Sequence, residues 1–428
     1  MALWRGKVTR RRSATAGERM GVFANGRFRL LYAATLTSTL GSTFSPIALS
    51  FAALDLTGSA ADLGYVLAAS MVPRILLLLV GGTVADRWSR NAIMVASSLT
   101  SALAQVLTVL AMLTGAVRFW ELLALAATTS AAGAFFAPAA QGVIPELVTQ
   151  AWVHQANVQI RIAMNGCLLA GPALAGVLIA ATSPAWAILI DAVSYLAAAP
   201  MLLRLRLATR PHRPDASMLR LLQEGWRAFW SRSWLWSVVL QSSCMNMAYF
   251  TSIRLFGPLE AQQHYGGATA WGLVLSANGV GYILGGLLSL WFKPGRLLLT
   301  GVCAASGMAL PVVALAVVAP LWLVLCAAAV CGVMFELMGV AWAVTMQQHL
   351  PRELLSRASA FDILGSDLLM PVGYLTGGVV ASALGTGATL WLCAGLILAP
   401  TALVLCNKEV RTLRQPVQAL PQPISATA

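Results

Sequence analysis

The chain has 428 residues, 58% of them hydrophobic and only 10% charged, with a net charge of +13 from 28 Lys and Arg against 15 Asp and Glu. A soluble domain carries about 25% charged residues, so this composition excludes one and points to a chain that lies mostly in lipid. No glycine-rich loop ending in Lys-Ser/Thr, no nucleophile–base arrangement and no metal-ligand spacing is present. His154, His212, His264 and His349 are scattered over loops. The sequence therefore offers no enzyme, metal site or cofactor, and it argues against ATP-driven work.

A helix crossing a bilayer needs ~20 mostly apolar residues. After a basic tail over residues 1–27, six such runs form a first half over 28–203: 30–54, 63–85, 92–113, 119–143, 162–181 and 185–203. A polar central stretch, 204–233, separates them from six more over 234–405: 234–256, 271–292, 297–318, 321–346, 363–384 and 388–405, followed by a tail over 406–428. Helices are the open-chain solution in hydrocarbon, which satisfies no stray backbone N–H or C=O. The first run is too long for a signal-peptide core and no small-residue cleavage site follows it, so it reads as a retained helix. Within the central stretch Met218, Leu219, Leu222, Trp226 and Phe229 recur at helical spacing with Arg220 and Arg227 among them. That suits an amphipathic helix on the membrane surface, a plain linker being the alternative. The seven cysteines fall in or beside apolar runs, as small buried hydrophobes do.

Alternating twelve spans with both termini inside puts 25 of the 28 Lys and Arg on one side, Arg161 among them. Only Arg118 falls in an outer loop, with Arg74 and Arg254 inside spans. This is the positive-inside asymmetry of a multi-pass protein of the cell inner (plasma) membrane with cytoplasmic termini. The basic charge orients the chain and meets anionic lipid, which removes the case for nucleic acid.

Between the second and third runs stands Gly81-Gly82-Thr83-Val84-Ala85-Asp86-Arg87-Trp88-Ser89-Arg90. It resembles the signature loop that joins helices 2 and 3 of major facilitator transporters, with Ser89 in place of its second glycine and Asn91 in place of its last basic residue. Gly171-Pro172-x-x-x-Gly176 resembles that superfamily's helix-5 antiporter motif, and the phrases 134–139, 144–147, 155–157 and 354–358 are similar to its macrolide-efflux and enterobactin-exporter branch. The likeness covers residues 27–405. It implies an all-α membrane protein of twelve helices in two six-helix halves, a monomer that exchanges an amphipathic small molecule (drug, antibiotic or siderophore) for protons by alternating access. An uptake permease for a nutrient, or a receptor or assembly factor on the same scaffold, is the alternative. The glycine–proline break disfavours the first and the embedded charges disfavour the second. Weak internal repetition agrees with duplication: 285–291 echoes 81–87, and the broken runs 171–176 and 371–378 correspond, which places a transport path between the halves.

Charges inside spans cost ~2.5–3.5 kcal/mol each at a helix centre, so each is a functional candidate. Glu336 is the first choice for proton coupling, because the resemblance puts helix 10 beside the central cavity; Asp367 and Asp191 follow. Arg74, next to Pro73, is a charge partner for Asp191 or Asp367, or a contact for an anionic substrate. Arg254 is expected to snorkel to the outer headgroups. Gly82, Asp86, Arg87 and Arg90, facing Arg357 and Asp362, form the expected cytoplasmic gate. The expected cavity lining adds Ser42, Phe135, Phe136, Gln141, Gln241, Asn246 and Tyr249, since mixed aromatic and amide groups suit an amphipathic ligand.

Overall fold

The computed structural model describes residues 21–77, 89–205, 226–227, 229–292, 294–350 and 352–413, and among them every regular element is helical. The first half comprises α1 (Gly26–Thr57), α2 (Ala60–Ala69, resuming after a turn and described to Leu77), α3 (Arg90–Leu113), α4 (Phe119–Leu147), α5 (Gln150–Ala181) and α6 (Pro184–Leu203). The second comprises α7 (Ser233–Thr251, continued by Ser252–Phe256 and Gly257–His264), α8 (Ala268–Trp291), α9 (Leu297–Ala305 and Ala309–Ala316, joined by a tight turn), α10 (Leu321–His349), α11 (Arg352–Asp367 and Met370–Leu384) and α12 (Thr386–Leu405). Ten of these are long and apolar enough to cross a membrane. The other two, α1 and α7, open the two halves and are less apolar, because Ser, Thr, Gln and Asn interrupt them.

Helix ends follow local chemistry. Asn25 caps α1 by accepting from the Arg27 and Phe28 amides at 2.9 and 3.4 Å, and its own amide donates to the Leu147 carbonyl at 2.6 Å, tying the start of α1 to the end of α4. Gly58 ends α1 at φ 64°, the left-handed turn that suits glycine. The largest departure from the sequence expectation is α5, which begins at Gln150 rather than near Ile162. In its first three turns Val153, Ala156 and Ile160 pack inward while Asn157 and Arg161 are exposed, so an apolar-run criterion passes over them.

Three hydrophobic clusters define the shape. One gathers Phe28, Met94, Val143, Leu147, Ala156 and Leu202 within the first half, at the end of the bundle where the chain begins. A second gathers Leu235, Leu298, Val302, Leu350, Val404 and Val410 at the same end of the second half. Only the third crosses between halves, joining Phe51, Leu63, Val66 and Ile179 to Leu255, Phe256, Trp271 and Tyr374 at the opposite end. Among the described residues the halves are thus fused away from the termini and packed separately toward them. At the fused end glycines let backbones touch. A Cβ on Gly176 would strike the Ala268 carbonyl, one on Gly272 the Pro172 carbonyl, one on Gly64 the Tyr374 carbonyl and one on Gly378 the Ala61 backbone. In lipid, where apolar surface gives no preference for helix over tail, such close approach is a main source of association.

Candidate functional site

Below the fused end lies a cavity of about 860 Å3, walled by first-half residues. Along α1 it runs from Leu31 to Ser42, a drop of about 16 Å at 1.5 Å per residue. Its apolar wall consists of Leu31, Phe136, Ala140, Ile144, Ile160 and Met164. Its polar wall carries Thr35, Ser38, Thr39 and Ser42 of α1, Ser97, Ser98 and Ser101 of α3, Asn157 of α5 and Tyr195 of α6. Two guanidinium groups, Arg74 and Arg161, also line it, and both residues are exposed.

Backbone irregularities place the charges. Proline has no N–H to give the carbonyl four residues back. Thus Pro73 leaves α2 interrupted at Ser70–Met71, just before Arg74, and Pro371 leaves α11 interrupted at Leu368–Leu369, just after Asp367. In α7 the turn Ser252–Phe256 widens to π geometry and carries Arg254. Arg74 and Arg254 are the two cations acting on the Asp367 carboxylate, so this acid bridges the halves electrostatically. Arg254 also lies 5.2 Å from the centre of the Phe250 ring. The expectation that it snorkels to the headgroups is corrected: it faces the charged centre, where both an acid and an aromatic ring compete for it. Arg161, expected in an inner loop, stands well inside α5 and is the cation acting on Glu336. Glu336 itself packs closely on α8, its Cβ 2.9 Å from where a Cβ on Gly285 would sit.

Asp191 meets neither arginine. It is 1% exposed, takes a hydrogen bond from the Gln105 amide at 2.7 Å and another from Ser42 at 3.4 Å. Gln105 also donates to Ser45 at 2.9 Å, and Ser42 lies 3.0 Å from the Tyr195 hydroxyl. A buried carboxylate needs such donors. Gly41 makes room for them, since a Cβ there would strike Ser194.

Of the expected lining residues, Ser42, Arg74 and Phe136 border the cavity, whereas Phe135 packs into the first-half cluster. Gln241 and Tyr249 are turned into the second half: the Gln241 amide donates to Thr401 at 2.9 Å and Tyr249 meets Cys331 at 3.5 Å. Asn246 donates to the Ser366 carbonyl at 3.2 Å, bracing α7 against α11. Gly171 abuts Thr43 of α1, and Pro172 and Gly176 form the α5–α8 seam between halves. Among the expected gate residues, Arg90 pairs with Glu146 at 2.8 Å within the first half, and Asp362 accepts from the Trp342 indole at 2.8 Å. Gly82, Asp86 and Arg87 lie outside the described residues, as do the side chains of Gln141 and Arg357.

A helical membrane bundle of two like halves, sealed at one end around a polar cavity with charges meeting across the seam, defines a transporter of the major facilitator class. The sequence agrees more narrowly. Residues 19–426 match the model of the family described as transmembrane secretion effector, and the chain belongs to that family. It is 28% identical over 383 residues to the multidrug efflux pump Tap of Mycolicibacterium fortuitum, covering 85% of this chain and 91% of that one. It is 23% identical over 397 residues to macrolide efflux protein A of Streptococcus pyogenes, covering 90% and 97%. Among solved structures, the nucleoside transporter NupG superposes with TM-score 0.69 at 13% identity, over 91% of this chain and 100% of that one. A bacterial homologue of the human lysosomal transporter Spinster, in an inward-facing and unoccupied conformation, superposes at 0.69 and 16%, over 89% and 96%. The fold and the multi-pass membrane habit are therefore those of a transporter, not of an enzyme.

Proposed function

We propose that this protein exports an amphipathic small molecule from the cytoplasm by alternating access, exchanging it for protons. The observation that carries this reading is a half-polar, half-apolar cavity on the chain-terminal side of a sealed seam. The charge asymmetry of the loops supports cytoplasmic termini in the inner membrane, so the cavity in this conformation faces the cytoplasm. The drug pumps among its relatives support export. The protein acts as a monomer, since one chain supplies both halves of the path.

Glu336 and Asp367 are the leading proton sites and Asp191 the third. When charged, the first two attract Arg161 and Arg74 of the opposite half; a bound proton removes that attraction and changes which end opens. Asp86, with Gly82, Arg87 and Arg90, closes the cytoplasmic end against Arg357 and Asp362. Purified protein in vesicles with an imposed pH gradient tests the reading. Gradient-driven substrate movement with opposing proton movement is expected, and Glu336→Gln, the permanently neutral form, should abolish it while leaving binding of a neutral substrate intact. Uphill transport at the wild-type rate by a folded Glu336→Gln protein would remove Glu336 from the coupling.

A further inference from the structure

The cavity wall contains two cations and no acid among its described residues. Arg74 enters from α2 and Arg161 from α5, and neither is in an ion pair with a described carboxylate. The acids that act on them, Asp367 and Glu336, belong to the second half and are not part of this wall. The first half's own buried acid, Asp191, is withdrawn behind Ser42 and Gln105. One further group in the wall lacks a partner: Ser98 is 1% exposed and its hydroxyl has no hydrogen-bond partner, an arrangement that costs free energy unless another group completes it.

Resting on the export reading above, we infer that the substrate is an organic anion, an amphipathic molecule bearing a carboxylate-type oxyanion. Its charged group is taken by Arg74 and Arg161, whose planar forks match an oxyanion in geometry as well as charge. Its polar edge meets the hydroxyls of Ser98 and its neighbours, and its apolar body lies on Phe136 and Ile160. At about 860 Å3 the space falls in the range of drug-sized sites. A cationic drug would meet two like charges in this wall, whose described residues include no acid. The charge balance of the cycle follows. An anion leaving and a proton entering both carry positive charge inward, so an inside-negative membrane potential drives export, whereas exchange of one monovalent cation for one proton would be indifferent to it.

The test uses the full chain in detergent and two xanthene dyes of one skeleton and opposite charge, fluorescein and tetramethylrhodamine methyl ester, with binding read by fluorescence anisotropy. Fluorescein is expected to bind at least about tenfold more tightly, and Arg161→Gln and Arg74→Gln are each expected to weaken it about tenfold or more. Arg161→Lys keeps the charge and should lose less. Equal binding of the dyes, tighter binding of the cation, failure of both to bind, or indifference of fluorescein to Arg161→Gln in a protein that melts like wild type would each overturn the inference. Binding is read without any gradient, so this result stands apart from the export reading, which flux of the same dye under a pH gradient tests separately.

Discussion

The α5–α8 seam offers a direct test of how the sealed end is held. Gly272→Ala adds one methyl group facing the Pro172 carbonyl, with the Gly176 Cα 3.2 Å away where ordinary contact begins at 3.4 Å. Both obstacles are backbone in a close-packed crossing, so neither can rotate aside, and the two helices must separate by roughly 1 Å. A gap of 0.5–1 Å forfeits a quarter to a half of each dispersion contact worth ~0.1–0.2 kcal/mol. Over the few tens of atom pairs along this crossing, the loss is about 1–2 kcal/mol. Because the seam exists only when this end is closed, that loss shifts the population toward the state open at this end by about 5- to 30-fold. The measurement is the distance between probes on Asp62 of the first half and Gln263 of the second, in a cysteine-free background, beside substrate flux. Gly395→Ala, where an added Cβ meets nothing within 4 Å, is the control. An unchanged distance distribution in Gly272→Ala would refute the idea that backbone contact at this seam sets the equilibrium.

Three further outcomes are expected. Gln105→Leu removes the strongest donor to Asp191 and should lower stability by about 1–3 kcal/mol in thermal unfolding, with Asp191→Asn in that background recovering part of it; an unaltered melting curve would deny the network a structural role. Arg74→Gln and Asp367→Asn should each impair transport, and the double variant should lose less than the sum, with a coupling of about 0.5–3 kcal/mol; strict additivity would show that these charges do not speak to one another. At the sealed end the Gln262 amide of the second half donates to Asp55 at 3.3 Å. Burial raises the Asp55 carboxyl above its ordinary value of 3.8, and that bond only partly offsets it. Protonation of Asp55 therefore favours the closed end, an effect complete below the ordinary value and lost as pH rises through the raised one. Acidifying that side should tighten the Asp62–Gln263 distance, and Asp55→Asn should abolish the dependence.

The pattern of long apolar runs foretold most helices, because lipid makes each spanning segment declare itself one at a time. It fails at the start of α5, where the helix leaves the apolar zone and becomes amphipathic, so that apolar runs alone put Arg161 in a loop. The alternation of Val153, Ala156 and Ile160 was the available sign. Embedded charge drew attention to Arg74, Glu336, Asp191 and Asp367, yet their partners depend on which helices meet across the seam, and spacing along one helix holds no record of that. Arg254 was misplaced for a related reason: depth along a helix is legible, but the direction it faces at a π turn is not. Gln241 and Tyr249 read as cavity groups because mixed aromatic and amide groups suit an amphipathic ligand, but a polar residue in a span needs only something other than lipid to face. Thr401 and Cys331 supply that something inside the second half. The serines of α3 that border the cavity carry neither charge nor amide to mark them in the sequence.

The modest hydropathy of α1 and α7 reaches beyond the folded protein, to the moment of its synthesis. Each half emerges from the ribosome led by a segment that gains the least from entering hydrocarbon. Pro46 interrupts the α1 amide ladder, and Ser42 and Ser45 answer to groups on later helices. The partners that make α1 comfortable in the bilayer, Gln105 on α3 and Asp191 and Tyr195 on α6, are translated only afterwards. The basic residues preceding α1 can hold its start at the inner face meanwhile, but its hydroxyls wait for later neighbours. A chain truncated after α2 should therefore retain α1 poorly in the membrane, while one extended through α6 should keep it.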